Sequence, residues 1–371
     1  MSTASPPLRI WRWSSLWKPS PGVSSLKTLP ESYPGKIMFM SKFRARPGLG
    51  QLAKCLLLAV CSVSPGLAAA APWPDHPITL VIPFAPGGSA DGLGRILADK
   101  MGQKLNQSII VENRPGAATT IASSFVARAK PDGYTLYIGM MNLHGMDKVL
   151  YPGVTYDGIK SFTHINKLVS FPMVVVTRND SPLKNFTDLI AKAKQEPGRV
   201  THGSAGVGSS NHLAAVEFMR AAGVKLLNVP YKGGNPAAMA TIAGDVDISF
   251  ATPPTVMPLV SAGRIKALGL TSAQPSPLFP GIPSAAQAGL PGYDFQVWHG
   301  LYGPAGMDPA IVERLYEVST AVLKDPEVTE KLRALGMTAE PSASVDEFNK
   351  FVRVVAKETA GLAAAAKADE Q

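Results

Sequence analysis

Cysteine is almost missing: the 371 residues hold two, Cys55 and Cys61, too few for a disulfide scaffold. Charged side chains make up 17% of the chain and aromatics 7%. No long apolar run recurs, which excludes a polytopic membrane protein. No Gly-Lys-Ser or Gly-Lys-Thr follows any glycine-rich loop, so a phosphate-binding P-loop is excluded. The histidines, His76, His144, His164, His202, His212 and His299, are scattered. None pairs with another at i, i+4 around an acid, so capping and core roles are expected and no metal site. What is present is a 46% hydrophobic fraction, too high for a disordered chain, on a length that suits two domains.

The net charge of +9 is unevenly placed. Residues 1–71 carry nine of the 36 basic side chains and one of the 27 acidic ones, leaving 27 basic and 26 acidic in the remainder. The basic character belongs to the leader, and no nucleic-acid partner is expected. From Met40 the sequence has a positive segment (Lys42, Arg44, Arg46, Lys54) and an apolar stretch, Cys55 to Val63, broken by Pro65 and Gly66. Ala68, Ala69 and Ala70 then supply small residues for cleavage. This reads as a secretory signal peptide over 40–71, with residues 1–39 as a non-native extension ahead of the true start. The apolar stretch is too short for a membrane anchor, and Val60 disfavours lipid anchoring at Cys61. A mature chain from residue 72 lacks thiols, which fits the bacterial periplasm.

The mature sequence alternates β-branched apolar runs with helical patterns. Strands are predicted at 78–84, 108–111 and 135–139, with helices at 90–105 and 119–129 between them. The grammar restarts with strands at 173–176, 200–203, 225–229, 248–251 and 266–270 and helices at 187–195 and 209–222. The tail is helical, with Gly361 and the Ala/Lys run after it expected to fray. Such alternation predicts α/β architecture: two doubly wound parallel sheets, helices on both faces.

Three glycine-rich loops follow predicted strands and open helices. The first is Pro83-Phe84-Ala85-Pro86-Gly87-Gly88-Ser89-Ala90-Asp91. Its glycines admit close backbone approach, the helix start presents unpaired N–H groups to an anion, and Ser89 and Asp91 are candidate caps. The second, Ser204-Ala205-Gly206-Val207-Gly208-Ser209-Ser210-Asn211-His212, repeats the arrangement. The third is Pro230-Tyr231-Lys232-Gly233-Gly234-Asn235-Pro236-Ala237, in which Tyr231 offers a hydroxyl and a flat wall and Lys232 a charge. Each loop reads equally as a turn with a cap. His202-Gly203-Ser204-Ala205-Gly206 lacks the first glycine of a nucleophile elbow. Ser204 or Ser209 with His212 is the single nucleophile–base candidate for a hydrolase or isomerase.

Several stretches resemble the periplasmic receptors of tripartite tricarboxylate transporters, the Bug family: ITLVIPFAPGGSAD (78–91), IIVENRPGAA (109–118), KPDGYTL (130–136), YPGVTYDGIKSFTHI (151–165), SAGVGSSNHLA (204–214), VPYKGGNPA (229–237), GDVDISFATP (244–253) and AGRIKALGLT (262–271). The resemblance runs in order over 73–355. It implies a two-lobed Venus-flytrap fold of the periplasmic-binding type, with one lobe from 73–174 plus 295–371 and the other from 175–294. It implies a receptor, not an enzyme, expected to be monomeric and without cofactor. Such a receptor takes a small organic carboxylate and delivers it to integral-membrane transporter subunits; a ligand-sensing role in signalling is the alternative. The ligand site is expected at Phe84, Ala85, Pro86, Gly87, Gly88, Ser89, Asp91, Asn142, His144, Ser204, Ala205, Gly206, Ser209, Ser210, His212, Tyr231, Thr252 and Pro253. The chain departs from the family pattern at three places. Met140-Met141-Asn142 and then His144 replace small hydroxyl residues, Gly158 replaces a proline, and Met307 replaces a threonine.

Overall fold

The computed structural model describes residues 73–144 and 149–369, all within one compact unit, Ala69–Gln371. The leader, with Cys55 and Cys61, lies outside the described residues. So do residues 145–148 and the side chain of Asn142.

The chain opens with β1 (Ile78–Ile82), a β-branched run buried along almost its whole length. Helix α1 (Ser89–Leu105) follows, burying Leu93, Leu97, Met101 and Leu105 at helical spacing. It ends at Asn106, whose left-handed φ of 52° lets its N–H reach back to Gln103 and Gly102. Next come β2 (Ile109–Asn113), α2 (Thr120–Ala127) and β3 (Thr135–Met140). Then β4 (Phe162–Pro172) and β5 (Val174–Arg178) run on with only Met173 between them. Helix α3 (Phe186–Gln195), β6 (Thr201–Ser204), α4 (Ser210–Ala222), β7 (Leu227–Pro230), α5 (Gly234–Ala243), β8 (Ile248–Ala251), α6 (Pro253–Ser261) and β9 (Ile265–Leu270) complete the second half. The chain returns through β10 (Gln296–Pro304), α7 (Pro309–Leu323), α8 (Pro326–Ala334), β11 (Thr338–Ala339) and α9 (Val345–Asp369).

The strands form two sheets, ordered β11-β4-β10-β3-β1-β2 and β7-β6-β8-β5-β9. The expectation of parallel sheets is corrected. In the first, β1 pairs parallel with β2 and β3, while β10 runs antiparallel to both β3 and β4. In the second, β6 pairs parallel with β7 and β8, and β5 is antiparallel to β8 and β9. Of the antiparallel members, β10 and β5 enter their sheets from the other one rather than from a helical crossover, so no right-handed βαβ rule sets their direction, while β11 pairs antiparallel with β4 at the sheet edge.

Two crossings join the sheets, and Thr271 fastens them. Its N–H donates to Met173 O (2.9 Å) and its hydroxyl to Phe295 O (2.6 Å). Its hydroxyl oxygen accepts from Met173 N (2.8 Å), and its carbonyl accepts from Phe295 N (2.8 Å). The expected fraying of the tail is also corrected. Helix α9 continues to Asp369 and buries Ala363 and Ala366 completely. It lies against β4 of the first sheet and α4 beside the second. Among the described residues, no helix is long and apolar enough to cross a membrane.

Candidate functional site

Four helices point their N-termini into one cleft between the sheets. Its lining takes Gly88, Ser89 and Ala90 from the start of α1, and Ser210 and Asn211 from α4. Gly233, Gly234, Asn235 and Pro236 come from the start of α5, and Thr252 and Thr255 from α6. Each start follows a strand C-terminus, the edge where open α/β sheets bind ligands. The first N–H groups of a helix have no intrahelical acceptor, and the aligned peptides concentrate partial positive charge there. Phe84, Ala85, Pro86, Met140, Ala205 and Lys232 complete the wall. The free space within it is about 80 Å³, and the cleft is partly open to solvent.

The first loop is held from behind by Asp91. Its carboxylate accepts from Gly87 N (3.0 Å), from Asn113 Nδ2 (3.0 Å) and from Arg95 through both Nε (3.0 Å) and Nη2 (3.0 Å). Asn113 also donates to the Phe84 carbonyl at 2.9 Å, tying the neighbouring strand end to the loop. Burial alone would raise the Asp91 pKa, but Arg95, the Gly87 amide and Asn113 outweigh it and hold the carboxyl below its usual range. Asp91 therefore shapes the loop and does not line the cleft. Ser89, a candidate cap, does not cap α1. Its hydroxyl lies 3.1 Å from His299 Nε2, on the central strand β10. Burial depresses the His299 pKa to about 3, so a neutral imidazole stands behind the loop.

The second loop is fixed by its own hydroxyls. Ser209 caps α4 by accepting from His212 N at 3.4 Å. Ser204 Oγ accepts from Gly206 N (3.3 Å), and the Ser204 carbonyl accepts from Tyr231 N (2.9 Å), joining second and third loops. The ring of His212 accepts the Gly208 N–H on Nδ1 at 3.1 Å. Asn211 gives its amide to the Phe250 carbonyl (2.6 Å), and the Thr252 and Thr255 hydroxyls lie 3.1 Å apart.

Eight of the expected residues meet at the lining: Phe84, Ala85, Pro86, Gly88, Ser89, Ala205, Ser210 and Thr252. Apart from Asn142, whose side chain lies outside the described residues, the others stand behind or beside it. Gly87 spends its amide on Asp91, and Ser204, Ser209 and His212 are buried in the framework of the second loop. Gly206 supplies a left-handed turn (φ +115°). Tyr231 flanks the lining, and Pro253 is buried against Gly336. His144 lies in the core. Its Nδ1 faces the Gly158 carbonyl at 3.0 Å, its Nε2 the Tyr302 hydroxyl at 2.9 Å, and its ring stacks on Trp298. Asn235 and Pro236, inside the third loop, and Thr255, which no sequence motif singled out, line the cleft without standing in the expected ligand site. The signal was available, since each follows a strand and a Gly or Pro helix start, as the first two loops do.

Chemically the site offers oriented N–H donors, hydroxyls and one charged side chain, Lys232, with no acid among the described lining residues. That composition takes an anion without a buried countercharge.

The comparisons with known proteins agree with this geometry. The family model described as tripartite tricarboxylate transporter family receptor matches residues 93–363. The chain is 31% identical to the protein BugT of Bordetella pertussis over 320 residues, covering 82% of this chain and 98% of the relative. Among solved structures it is similar to an R. palustris protein bound to adipate. The TM-score is 0.75 and the identity 32%, covering 80% of this chain and 98% of that one. It is also similar to MatC from Rhodopseudomonas palustris with bound malate, with TM-score 0.73 and 29% identity over 78% of this chain and all of that one. The two-lobed architecture is that of the periplasmic binding proteins, and the chain belongs to the tripartite tricarboxylate transporter receptor family, TctC, with its Bug relatives.

Proposed function

We propose that the chain is a periplasmic receptor that captures one small organic carboxylate and delivers it to the integral-membrane subunits of a tripartite tricarboxylate-type transporter. The observation that carries this reading is the convergence of four helix N-termini, with Lys232, on a cleft without an acid. Capture proceeds by electrostatics and shape. A carboxylate enters between lobes formed by 73–174 with 295–371 and by 175–294. It takes N–H groups from the helix starts, and the lobes close on it about the Thr271 crossings. Delivery exploits the difference between closed and open receptor. The leader over 40–71 supports export, and the relatives bound to adipate and malate support the ligand class.

Ser204, Ser209 and His212, the one nucleophile–base candidate, are all buried and none lines the cleft. This favours a receptor over a hydrolase, because a nucleophile has to reach the bound substrate. The test is a thermal-shift screen of the purified protein against acetate, malate, succinate, adipate, citrate, benzoate and glutamate. The reading expects a stabilisation by one or a few of these acids that grows with concentration. A flat response across all seven contradicts it.

A further inference from the structure

Two residues reach across the cleft from outside it. The segment around Tyr151 lies between β3 and β4 and is anchored to the first sheet. His144 Nδ1 holds it at the Gly158 carbonyl (3.0 Å), Tyr156 packs edge-on against Phe162, and Ala305 N donates to Ser161 O (3.2 Å). From that anchorage the Tyr151 hydroxyl donates to the Val207 carbonyl at 2.9 Å. Val207 belongs to the second loop, between β6 and α4 of the other sheet. Beside it, Leu150 seats on Gly208. A Cβ on that glycine, which has φ +77°, would stand 2.5 Å from Leu150 Cδ1. A hydroxyl and a leucine of one lobe thus hold the loop of the other that opens α4 toward the cleft. Neither residue lines the cleft.

We propose that Tyr151 is a positioning residue for ligand capture, a latch that ties the lobes together across the second loop and exists only in the closed receptor. This inference rests on the reading of the chain as a carboxylate receptor. An open receptor exposes both the Tyr151 hydroxyl and the Val207 carbonyl to water, so the bond adds stability to the closed state alone. A ligand that requires closure gains affinity from it by linkage, and the gain falls on escape rather than on encounter.

The experiment compares the parent protein with Tyr151→Phe, Leu150→Ala and Tyr316→Phe. The last is an internal control. Tyr316 makes the same kind of bond, hydroxyl to the Ser342 carbonyl at 2.9 Å, with both partners beside the first sheet. Malate and adipate are the probes, followed by stopped-flow displacement and by small-angle scattering with and without acid. The latch predicts dissociation about fivefold faster in Tyr151→Phe, as expected for one lost hydrogen bond, with the association rate within about twofold of the parent. Leu150→Ala shifts dissociation the same way, and Tyr316→Phe does not shift it. Equal dissociation rates for the parent and Tyr151→Phe, with a parent that closes on either acid, overturn the latch alone. A Tyr316→Phe effect as large as that of Tyr151→Phe overturns it as well, because the change is then not specific to the lobe contact. A parent that neither binds nor closes on malate or adipate overturns the latch together with the receptor reading for these acids.

Discussion

His144 and Gly158 fit each other as one unit. The imidazole Nδ1 lies 3.0 Å from the Gly158 carbonyl, and a Cβ on Gly158 would fall 1.8 Å from the carbonyl oxygen of Leu143, the residue before His144. Two of the three departures from the family pattern are therefore one structural change. The short turn after β3 crosses the backbone of the next segment where only glycine leaves room. The third departure behaves likewise: a Cβ on Gly303 would fall 2.1 Å from Met307 Sδ, so the longer side chain sits over a glycine on β10.

Gly158→Ala is accordingly expected to destabilise the protein by about 3 kcal/mol or more, because the neighbour it meets is backbone and cannot rotate away. Urea unfolding of the purified variant measures this. A loss within the error of the fit contradicts the crossing geometry.

Stability is expected to fall with acid well above the carboxylate range. Burial pushes His144 to about 3, helped by the nearby His164 and opposed by the Gly158 carbonyl, and burial alone pushes His299 to about 3. In the unfolded chain both titrate near 6.5, so between those values the unfolded state binds more protons than the folded one. Their contribution is complete above pH 6.5 and is lost as pH falls toward 3, at up to about 1.4 kcal/mol per pH unit for each ring. Melting curves from pH 7.5 to 4.5 test this. His299→Gln should flatten the slope below pH 6.5, and an unchanged slope contradicts the assignment.

Asp91→Ala removes the acceptor that Gly87, Arg95 and Asn113 share. It should cost about 2–4 kcal/mol of stability, the range for stripping a buried charge from its donors. It should also weaken acid binding at least tenfold by releasing the first loop. Calorimetry of folded protein at low temperature separates the two. Full affinity in the folded variant contradicts the role given to this carboxylate.

Lys232 is the charged side chain of the lining. Lys232→Gln should weaken a dicarboxylate such as adipate up to about fivefold more than its monomethyl ester, since an exposed ion pair of this kind contributes at most about 1 kcal/mol. Equal losses for both compounds would show that the lysine acts on neither charge in particular.

The sequence made the first loop, the second loop and most of the outer strands readable, because glycine pairs between a β-branched run and a helical pattern are local signals. The central strands β4 and β10 were not readable. Phe162–Pro172 and Gln296–Pro304 are buried on both faces, so no alternation marks them. Their polar residues find partners far along the chain. Asn166 donates to Ser319 and Thr320 and accepts from Ser342, and His299 meets Ser89. Missing these strands made the sheets look purely parallel. The same long-range pairing hid the work of His144, whose partners Gly158 and Tyr302 define it as framework; for Asp91 only Asn113 is distant, and the Arg95 partner is local at i, i+4. The composition of the third loop was visible, but its convergence with the first two and with the start of α6 depends on the fold.

Gly88 stands where a carboxylate would meet the start of α1. Its φ of −89° suits any residue, and a Cβ there meets no protein atom within 4 Å, so Gly88→Val fits the fold and fills the cleft. The measurement is calorimetric titration of the acid panel into the parent protein and into Gly88→Val. The expected result is binding of one carboxylate at a stoichiometry near one in the parent, and no binding in a variant that melts within about 2 °C of it. Unchanged affinity in folded Gly88→Val, or a parent that binds none of the acids, contradicts the account.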